Sequence, residues 1–417
     1  MNWITTLFLG ALFLNLAIEV YLNIRNQFHI GLNKEKVPED FSSVVSLEAH
    51  QKAADYSRAK LQLGRLALFY DAAILWLMTL GGGFQDIHSM WAESGLSETW
   101  QGVAFILSVL AILSILHLPF SIMSTFKIEE QFGFNKTTPM KFVTDLIKQW
   151  VLMLALGLPL IWVVLSIMTQ FINDAWWLYT WIVWMAFQLI IMWAYPKWIA
   201  PIFNKFSPLE DGEMKTRINA LLERTGFESN GIFVMDGSSR SGHGNAYFTG
   251  FGKNKRIVFF DTLLEKLTPE EVEAVLAHEL GHFKHGHIKK RLIEGTIFSL
   301  IGLALLGWLI QLPEFYSGLG MIDQSPAIAL LLFMTAVPVM FFFMGPISAI
   351  KSRKHEFEAD AFAAKHVGAE PLISALLKMY RDNASTLTPD PLYSAYHDSH
   401  PPAKIRIDHL KSLPKNN

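Results

Sequence analysis

The sequence predicts an α-helical polytopic membrane protein: seven long transmembrane helices, with a small α+β domain inserted between the fifth and the sixth. Three observations carry this reading. Hydrophobic residues make up 51% of the 417-residue chain and charged residues only 17%. The apolar residues gather into seven runs of about 20, the length that crosses a bilayer as a helix. The connections between those runs alternate between basic stretches and stretches without Lys or Arg.

The runs are Trp3–Ile24, Leu63–Phe84, Val103–Phe126, Trp150–Phe171, Trp176–Tyr195, Ile293–Leu312 and Pro326–Ile350. The first reads as a span and not as a cleaved signal peptide. It is too long, has no basic leading stretch and is followed by no small-residue cleavage site. Gln85–Gln101, Ile172–Ala175 and Pro313–Ser325 contain no Lys or Arg. The alternate connections carry Arg25, Lys34, Lys36, Lys52, Arg58 and Lys60; then Lys127, Lys136, Lys141 and Lys148; then the stretch from Lys197 to Arg291; then Lys351, Arg353 and Lys354. Basic loops stay in the cytoplasm, so the N-terminus is expected outside and the C-terminus inside. The chain divides into a membrane domain, residues 1–195, with cytoplasmic loops 25–62 and 127–149, and a second domain, residues 196–417, interrupted by a transmembrane hairpin at 293–350.

Within the insertion, about Pro196–Lys290, Gly231–Met235, Asn245–Gly250 and Arg256–Phe260 read as short strands. The last two are joined by a turn at Gly252-Lys-Asn-Lys255. An edge strand can pair with the backbone of an extended peptide, and Asn245-Ala246-Tyr247 is the candidate edge. From spacing alone, an ordinary hairpin strand is the alternative. Thr268-Pro269-Glu270-Glu271 then opens a helix, with Thr as N-cap, Pro at the first helical position and Glu271 completing a capping box. Val272, Val275 and Leu276 supply its apolar stripe. The tail after Thr388 is loop-rich (Pro389, Pro391, Pro401, Pro402) and closes on a short helix at Lys404–Leu413.

The capped helix carries His278-Glu279-Leu280-Gly281-His282. Four residues apart on a helix, His278 and His282 project from one face and can take two positions around a Zn²⁺ ion. Glu279, beside the first, is placed to take a proton from a metal-bound water, the chemistry of peptide hydrolysis. The bland alternative is a solvated histidine cluster. His285 and His287 lie beyond the pair, with a surface or supporting role expected for both. Cysteine is absent, which removes thiolate ligands, disulfides and a cysteine nucleophile. The third ligand is therefore sought in Lys351–Asp360, where Glu356 and Asp360 share a helix face. One carboxylate can bind the metal while the other accepts the N–H of a ligating histidine. We read Glu356 as the ligand and Asp360 as the acceptor. Glu358, on the opposite side of that helix, is expected to have no such partner. His355 could ligate on chemistry alone, but an interfacial basic cluster with Arg353 and Lys354 explains it more simply.

These motifs resemble the CAAX prenyl protease 1 family over nearly the whole length. The resemblance rests on Phe126-Lys-Ile-Glu-Glu-Gln-Phe-Gly-Phe-Asn-Lys-Thr-Thr138, Ala200-Pro-Ile-Phe-Asn-Lys-Phe-Ser-Pro-Leu209, Asn245-Ala-Tyr-Phe-Thr-Gly250 and the His278–His282 motif. It continues through Ser352-Arg353, Glu356-Phe-Glu-Ala-Asp360 and His400-Pro-Pro402 with Arg406. It implies one Zn²⁺ per chain held by His278, His282 and Glu356, with Glu279 as the base. It also implies helices enclosing a water-filled chamber in the membrane, capped by a gluzincin-like protease domain. His400 and Arg406 resemble family positions near the active site. His400 would donate to the oxyanion, and Arg406 would hold its segment or bind a substrate carboxylate. In such a chamber the polar Asn15, Glu19, Asp71 and Gln188, within or at the ends of apolar spans, would face water. Facing lipid, an ionisable group costs at least about 2.5 kcal/mol near a helix centre. Interhelical hydrogen bonding is the other account of these four residues.

The partners implied are a peptide or prenylated protein and membrane lipid; no nucleic acid is expected, and the chain is read as a monomer. Ser412–Asn417 lacks a dilysine-type retrieval signal, which favours a bacterial inner membrane, with the endoplasmic reticulum as the setting if the source is eukaryotic. Two other functions are weighed. One is a membrane-protein quality-control metalloprotease acting on unprenylated chains. The other is a transporter or lipid-binding protein with a structural zinc, disfavoured because structural zinc closes its fourth position with a protein ligand.

Overall fold

A computed structural model describes residues 2–250 and 255–414. The turn expected at Gly252-Lys-Asn-Lys255 lies, but for Lys255, outside the described residues, as does the end of the tail from Lys415. The membrane part opens with α1 (Trp3–Leu32), α2 (Leu47–Met78), the short α3 (Gly83–Ala92), α4 (Glu98–Met123), α5 (Pro139–Gln170) and α6 (Trp176–Ala194). Short α7 (Ala200–Phe203) leads into β1 (Phe206–Pro208), α8 (Glu213–Thr225), β2 (Ile232–Met235), β3 (Ala246–Thr249), β4 (Arg256–Phe260), α9 (Asp261–Leu264) and α10 (Pro269–Lys284). Helix α11 (His287–Leu309) re-enters the apolar layer, followed by α12 (Pro313–Gly318), α13 (Pro326–Thr335), α14 (Val337–Met340) and α15 (Met344–Val367). Helices α16 (Ala369–Asp382), α17 (Pro391–His397) and α18 (Ala403–Ser412) complete the chain.

Among the described residues, six helices, not the seven expected, are long and apolar enough to cross a bilayer: α1, α2, α4, α5, α6 and α11. The seventh run, Pro326–Ile350, is broken into α13, α14 and the start of α15. The chain leaves the helix at Ala336, just before Pro338, which has no N–H to give, and again at Phe341–Phe343; Pro119 and Pro159, by contrast, stay inside α4 and α5. The chain still returns over the length of α11. Pro313–Ser325 sits at one end of the bundle, whereas Glu356 on α15 meets residues of α10 at the other. Helix α2 begins earlier and ends sooner than its predicted span, leaving Phe84 to α3.

The loops sort by charge onto the two ends. At one end the Lys- and Arg-free connections touch each other: Gln85 donates to Asp323 at 2.7 Å, and Asn2 donates to the Glu314 carbonyl at 2.9 Å. Phe8, Phe84, Phe105, Met168, Trp176, Phe315 and Leu331 fill an apolar core there. The basic loops collect at the opposite end, against the sheet. Lys136 N–H reaches the Arg240 carbonyl at 3.0 Å, Lys141 the Ser239 carbonyl at 3.1 Å, and Arg25 pairs with Asp390 at 2.8 Å. A second core, including Ile218, Phe259, Val272, Leu276, Ala363, Leu376 and Ile407, joins the sheet to α8, α10, α15, α16 and α18. Of the in-span polar residues, Asp71 lies 3.1 Å from His117 and Glu19 lies 3.3 Å from His397.

The sheet order is β1-β2-β4-β3, with β2 and β4 parallel and the other two pairs antiparallel. Strand β1 was not foreseen, because three residues ending in Pro208 show no readable alternation; as an edge strand it tolerates the proline. Helix α17 was hidden by the prolines around it. Pro391 is its first residue, and the Asp390 carboxylate caps the N–H groups of Leu392 and Tyr393 at 3.0 Å.

Helix α10 starts as predicted: Thr268 Oγ1 accepts from Glu271 N–H, and Glu271 Oε2 accepts from Thr268 N–H at 2.8 Å. The Glu271 carboxylate also takes Ser374 Oγ–H at 2.6 Å and Lys378 Nζ at 2.8 Å, tying α10 to α16. Helix α10 packs on α15 most closely at Gly281, where an added Cβ would lie 2.8 Å from Ala359 Cα and 3.0 Å from its carbonyl oxygen. Backbone cannot move aside as a side-chain tip can. Gly281→Ala is therefore expected to destabilise the protein by about 1–3 kcal/mol, read as a lowered unfolding midpoint of the detergent-solubilised chain. An unchanged midpoint would show that the helices do not meet this closely.

Candidate metal centre

The packing of α10 on α15 brings His278 and His282 against Glu356. Their Nε2 atoms are 3.2 Å apart; Glu356 Oε2 is 3.4 Å from the first and Oε1 is 3.2 Å from the second. Ligands about 2.0–2.1 Å from a tetrahedral ion are separated by about 3.3 Å; Glu356 presents a different oxygen to each histidine at near that spacing, and one ligand atom from each of the three residues lies within 4.8 Å of the others. Glu356 is 1% exposed and its Oε2 is buried without a hydrogen-bond partner. That oxygen is held only by ion-pair contacts, 3.4 Å to His278 Nε2 and 3.7 Å to Arg406, which leaves its burial incompletely compensated, and a cation completes it. The residues fit a metal.

Asp360 is fully buried and accepts from Nδ1 of His278 at 2.8 Å, which leaves Nε2 with its lone pair directed at the site. Arg406 grips Asp360 with two bonds, Nε at 2.9 Å and a terminal nitrogen at 2.6 Å. The guanidinium is buried and engaged, so of its two expected roles the geometry favours holding the site over reaching a substrate carboxylate. His400, exposed on the rim, brings Nε2 to 3.5 Å from Glu356 Oε1. Arg353 pins the segment before it, donating to the carbonyls of Ser394, Ala395 and Asp398. Glu279 is half-buried on α10, and none of the described residues holds its carboxylate by a hydrogen bond. Asn245, Ala246 and Tyr247 lie at β3, an edge of the sheet that packs beside α10.

Two expectations need correction. Glu358 does have a partner: its Oε2 lies 2.8 Å from Nε2 of His287. His355 is not part of an interfacial basic cluster but 7% exposed, its ring stacked on His287 with centroids 3.9 Å apart. Residues 355 and 358 share a face at i, i+3, the available sequence signal, but what covers that face is not local. Gly286, at φ +68°, ends α10 in the left-handed conformation and folds the chain so that His287 falls behind His282. His285 stays exposed.

The electrostatics follow the geometry. Burial opposes charge on Glu356, yet His278 and His282 hold its carboxyl well below the usual range. Burial also disfavours protonated His278, but the bonds to Asp360 and Glu356 outweigh it and push its pKa up to about 9. A proton there does part of what a metal would do.

A helical membrane bundle carrying a His-Glu-x-x-His helix opposite a carboxylate helix defines a membrane metallopeptidase. Comparison with known proteins agrees. The family described as "CAAX prenyl protease N-terminal, five membrane helices" matches residues 27–205, and peptidase family M48 matches residues 208–413. The CAAX prenyl protease 1 homolog of Oryza sativa subsp. japonica is 36% identical, covering 94% of both chains. CAAX prenyl protease 1 of Saccharomyces cerevisiae is 34% identical over 96% of this chain and 94% of that one. A crystal structure of S. mikatae Ste24p matches with a TM-score of 0.91 at 33% identity, covering 98% of this chain and 99% of that chain. The chain belongs to the CAAX prenyl protease 1 family of M48 metallopeptidases and is a multi-pass membrane metalloendopeptidase.

With His278 titrating near pH 9 in the metal-free chain, a proton must leave before Nε2 can ligate. Metal affinity is expected to rise about tenfold per pH unit between about pH 6.5 and 9, then level off. Because this pKa is raised on folding, its contribution to metal-free stability is full below about pH 6.5 and lost as pH passes 9. Co²⁺ titrations across this range test it, and a flat affinity would contradict the assignment.

Proposed function

We propose that this chain is a zinc-dependent endopeptidase that hydrolyses a peptide bond near the C-terminus of prenylated CAAX-type proteins. The carrying observation is the triangle of His278, His282 and Glu356, with Glu279 next to it on α10 and the edge strand β3 alongside. Two imidazoles and one carboxylate with the fourth position open are a catalytic zinc set. When bound, the ion supplies Lewis acidity to the scissile carbonyl and makes water more acidic.

The chain's own residues do the rest. Glu279 takes a proton from the attacking water as its oxygen bonds to the carbonyl carbon. It delivers that proton to the leaving amine as the C–N bond breaks. His400 donates to the oxyanion that develops in between. Asp360 fixes His278, and Arg406 fixes Asp360. Asn245-Ala246-Tyr247 offers backbone groups to an extended substrate. One chain supplies all of these residues, so the site is complete without a partner subunit.

The substrate rests on likeness to relatives named CAAX prenyl proteases. The gathering of basic loops at the catalytic end supports a cytoplasmic active site and an N-terminus outside. The same orientation faces the cytosol from either a bacterial inner membrane or the endoplasmic reticulum.

Glu279→Gln is expected to reduce turnover by at least about 100-fold while metal analysis still finds one zinc per chain. Residual wild-type cleavage would remove Glu279 from the mechanism. A farnesylated CAAX peptide should be cleaved faster than its unprenylated twin. Equal rates would overturn the substrate assignment and point to the quality-control role.

A further inference from the structure

His278 and His282 are held by different devices. The first gives its Nδ1–H directly to a carboxylate, Asp360. Among the described residues, no carboxylate bonds to Nδ1 of the second. Instead, His282 Nδ1 lies 3.0 Å from Nδ1 of His287, and His287 Nε2 lies 2.8 Å from Glu358 Oε2. His287 is 1% exposed and is held face-on by the ring of His355, with 13° between their planes.

Only one arrangement of protons on neutral rings satisfies this chain of contacts. Ionised Glu358 is an acceptor only, so Nε2 of His287 must carry a hydrogen. A neutral His287 then has a lone pair on Nδ1, which can only accept. His282 must therefore donate from its own Nδ1, and its Nε2 is left as a lone pair 3.2 Å from Glu356 Oε1, two acceptors that a cation between them reconciles. The opposite tautomer of His287 would set a lone pair against the Glu358 carboxylate. It would also force the His282 hydrogen onto Nε2, where it would block a metal. Glu358, two imidazoles away from the site, thus selects the ligating form of His282.

We propose that Glu358 and His287 form a relay that fixes the tautomer and orientation of His282, making both positioning residues for metal capture. The proposal rests on the metal-site reading and extends it. Supporting partners of this kind contribute about 10- to 100-fold in metal affinity. The relay differs in kind from the Asp360 side: one ligand is backed by a charge, the other by a neutral ring with the charge one step further off.

The test is Co²⁺ binding by the full-length, detergent-solubilised chain, stripped of metal and titrated against a competing chelator. His287→Phe keeps a ring to stack on His355 but removes the acceptor, and should weaken Co²⁺ binding by about 10- to 100-fold. His287→Asn puts an amide oxygen near the position of Nδ1 and should recover most of that loss, which a purely space-filling role would not predict. The Glu358 side chain is 31% exposed, so truncating it opens no buried cavity. Glu358→Ala should weaken binding several-fold. The relay is overturned if His287→Phe or Glu358→Ala binds Co²⁺ like wild type, or if His287→Asn is as weak as His287→Phe. A wild-type chain that takes up no Co²⁺ would overturn the metal-site reading, and the relay with it.

Discussion

The close approach of α10 to α15 is the constraint on which the site depends. At Gly281 the two backbones meet with no room for a methyl group. Within one turn of that contact, at His278, His282 and Glu356, this nearness brings ligand atoms from two sequence-distant segments together. A helix pair at ordinary separation, 8–10 Å between axes, leaves room for side chains to interdigitate. Here a small residue replaces that layer, and the imidazoles and carboxylate reach one point without extended rotamers.

Around that point the protein buries an unusual amount of charge. Glu356, Asp360 and Arg406 are all at most 6% exposed. Buried ions are tolerated when each has well-aligned partners and are destabilising when one partner is removed. Arg406 makes its short bonds to Asp360 and stands 3.7 Å from Glu356 Oε2, an oxygen that receives no hydrogen bond. The cluster is therefore complete only with a further positive charge, supplied by a cation or, in its absence, by a proton on His278. Stability and function are coupled through the same atoms.

The remainder of the fold serves to carry that cluster at a membrane surface. Loops without Lys or Arg meet at one end of the bundle and are closed by an apolar core, while the basic loops dock on the catalytic unit at the other. Arg25 on α1 reaches Asp390, the cap of α17, and Arg353 on α15 holds the carbonyls at the end of α17. The segment bearing His400 is thus clamped between a membrane helix and the ligand helix, although His400 itself stays exposed.

Much of this was legible in the sequence, because the relevant signals are local. Apolar run length, charge alternation, the Thr268 cap and the four-residue spacings of His278 with His282 and Glu356 with Asp360 each report on one turn or one span. Hydropathy overcounted where it averages over backbone conformation: the chain leaves the helix at Ala336 and at Phe341–Phe343 in a run whose composition alone reads as one helix. The contacts that escaped are those between elements. That Glu358 meets His287, that His355 is buried against it and that Arg406 is bound to Asp360 all depend on how α10, α15 and α18 pack, and spacing along one helix carries no information about what covers its other faces. The sequence by itself determined which residues could bind a metal and that they sit in a membrane protein. Tertiary structure alone decided which partners orient them, because a hydrogen bond between distant segments requires a packing distance that no local pattern encodes.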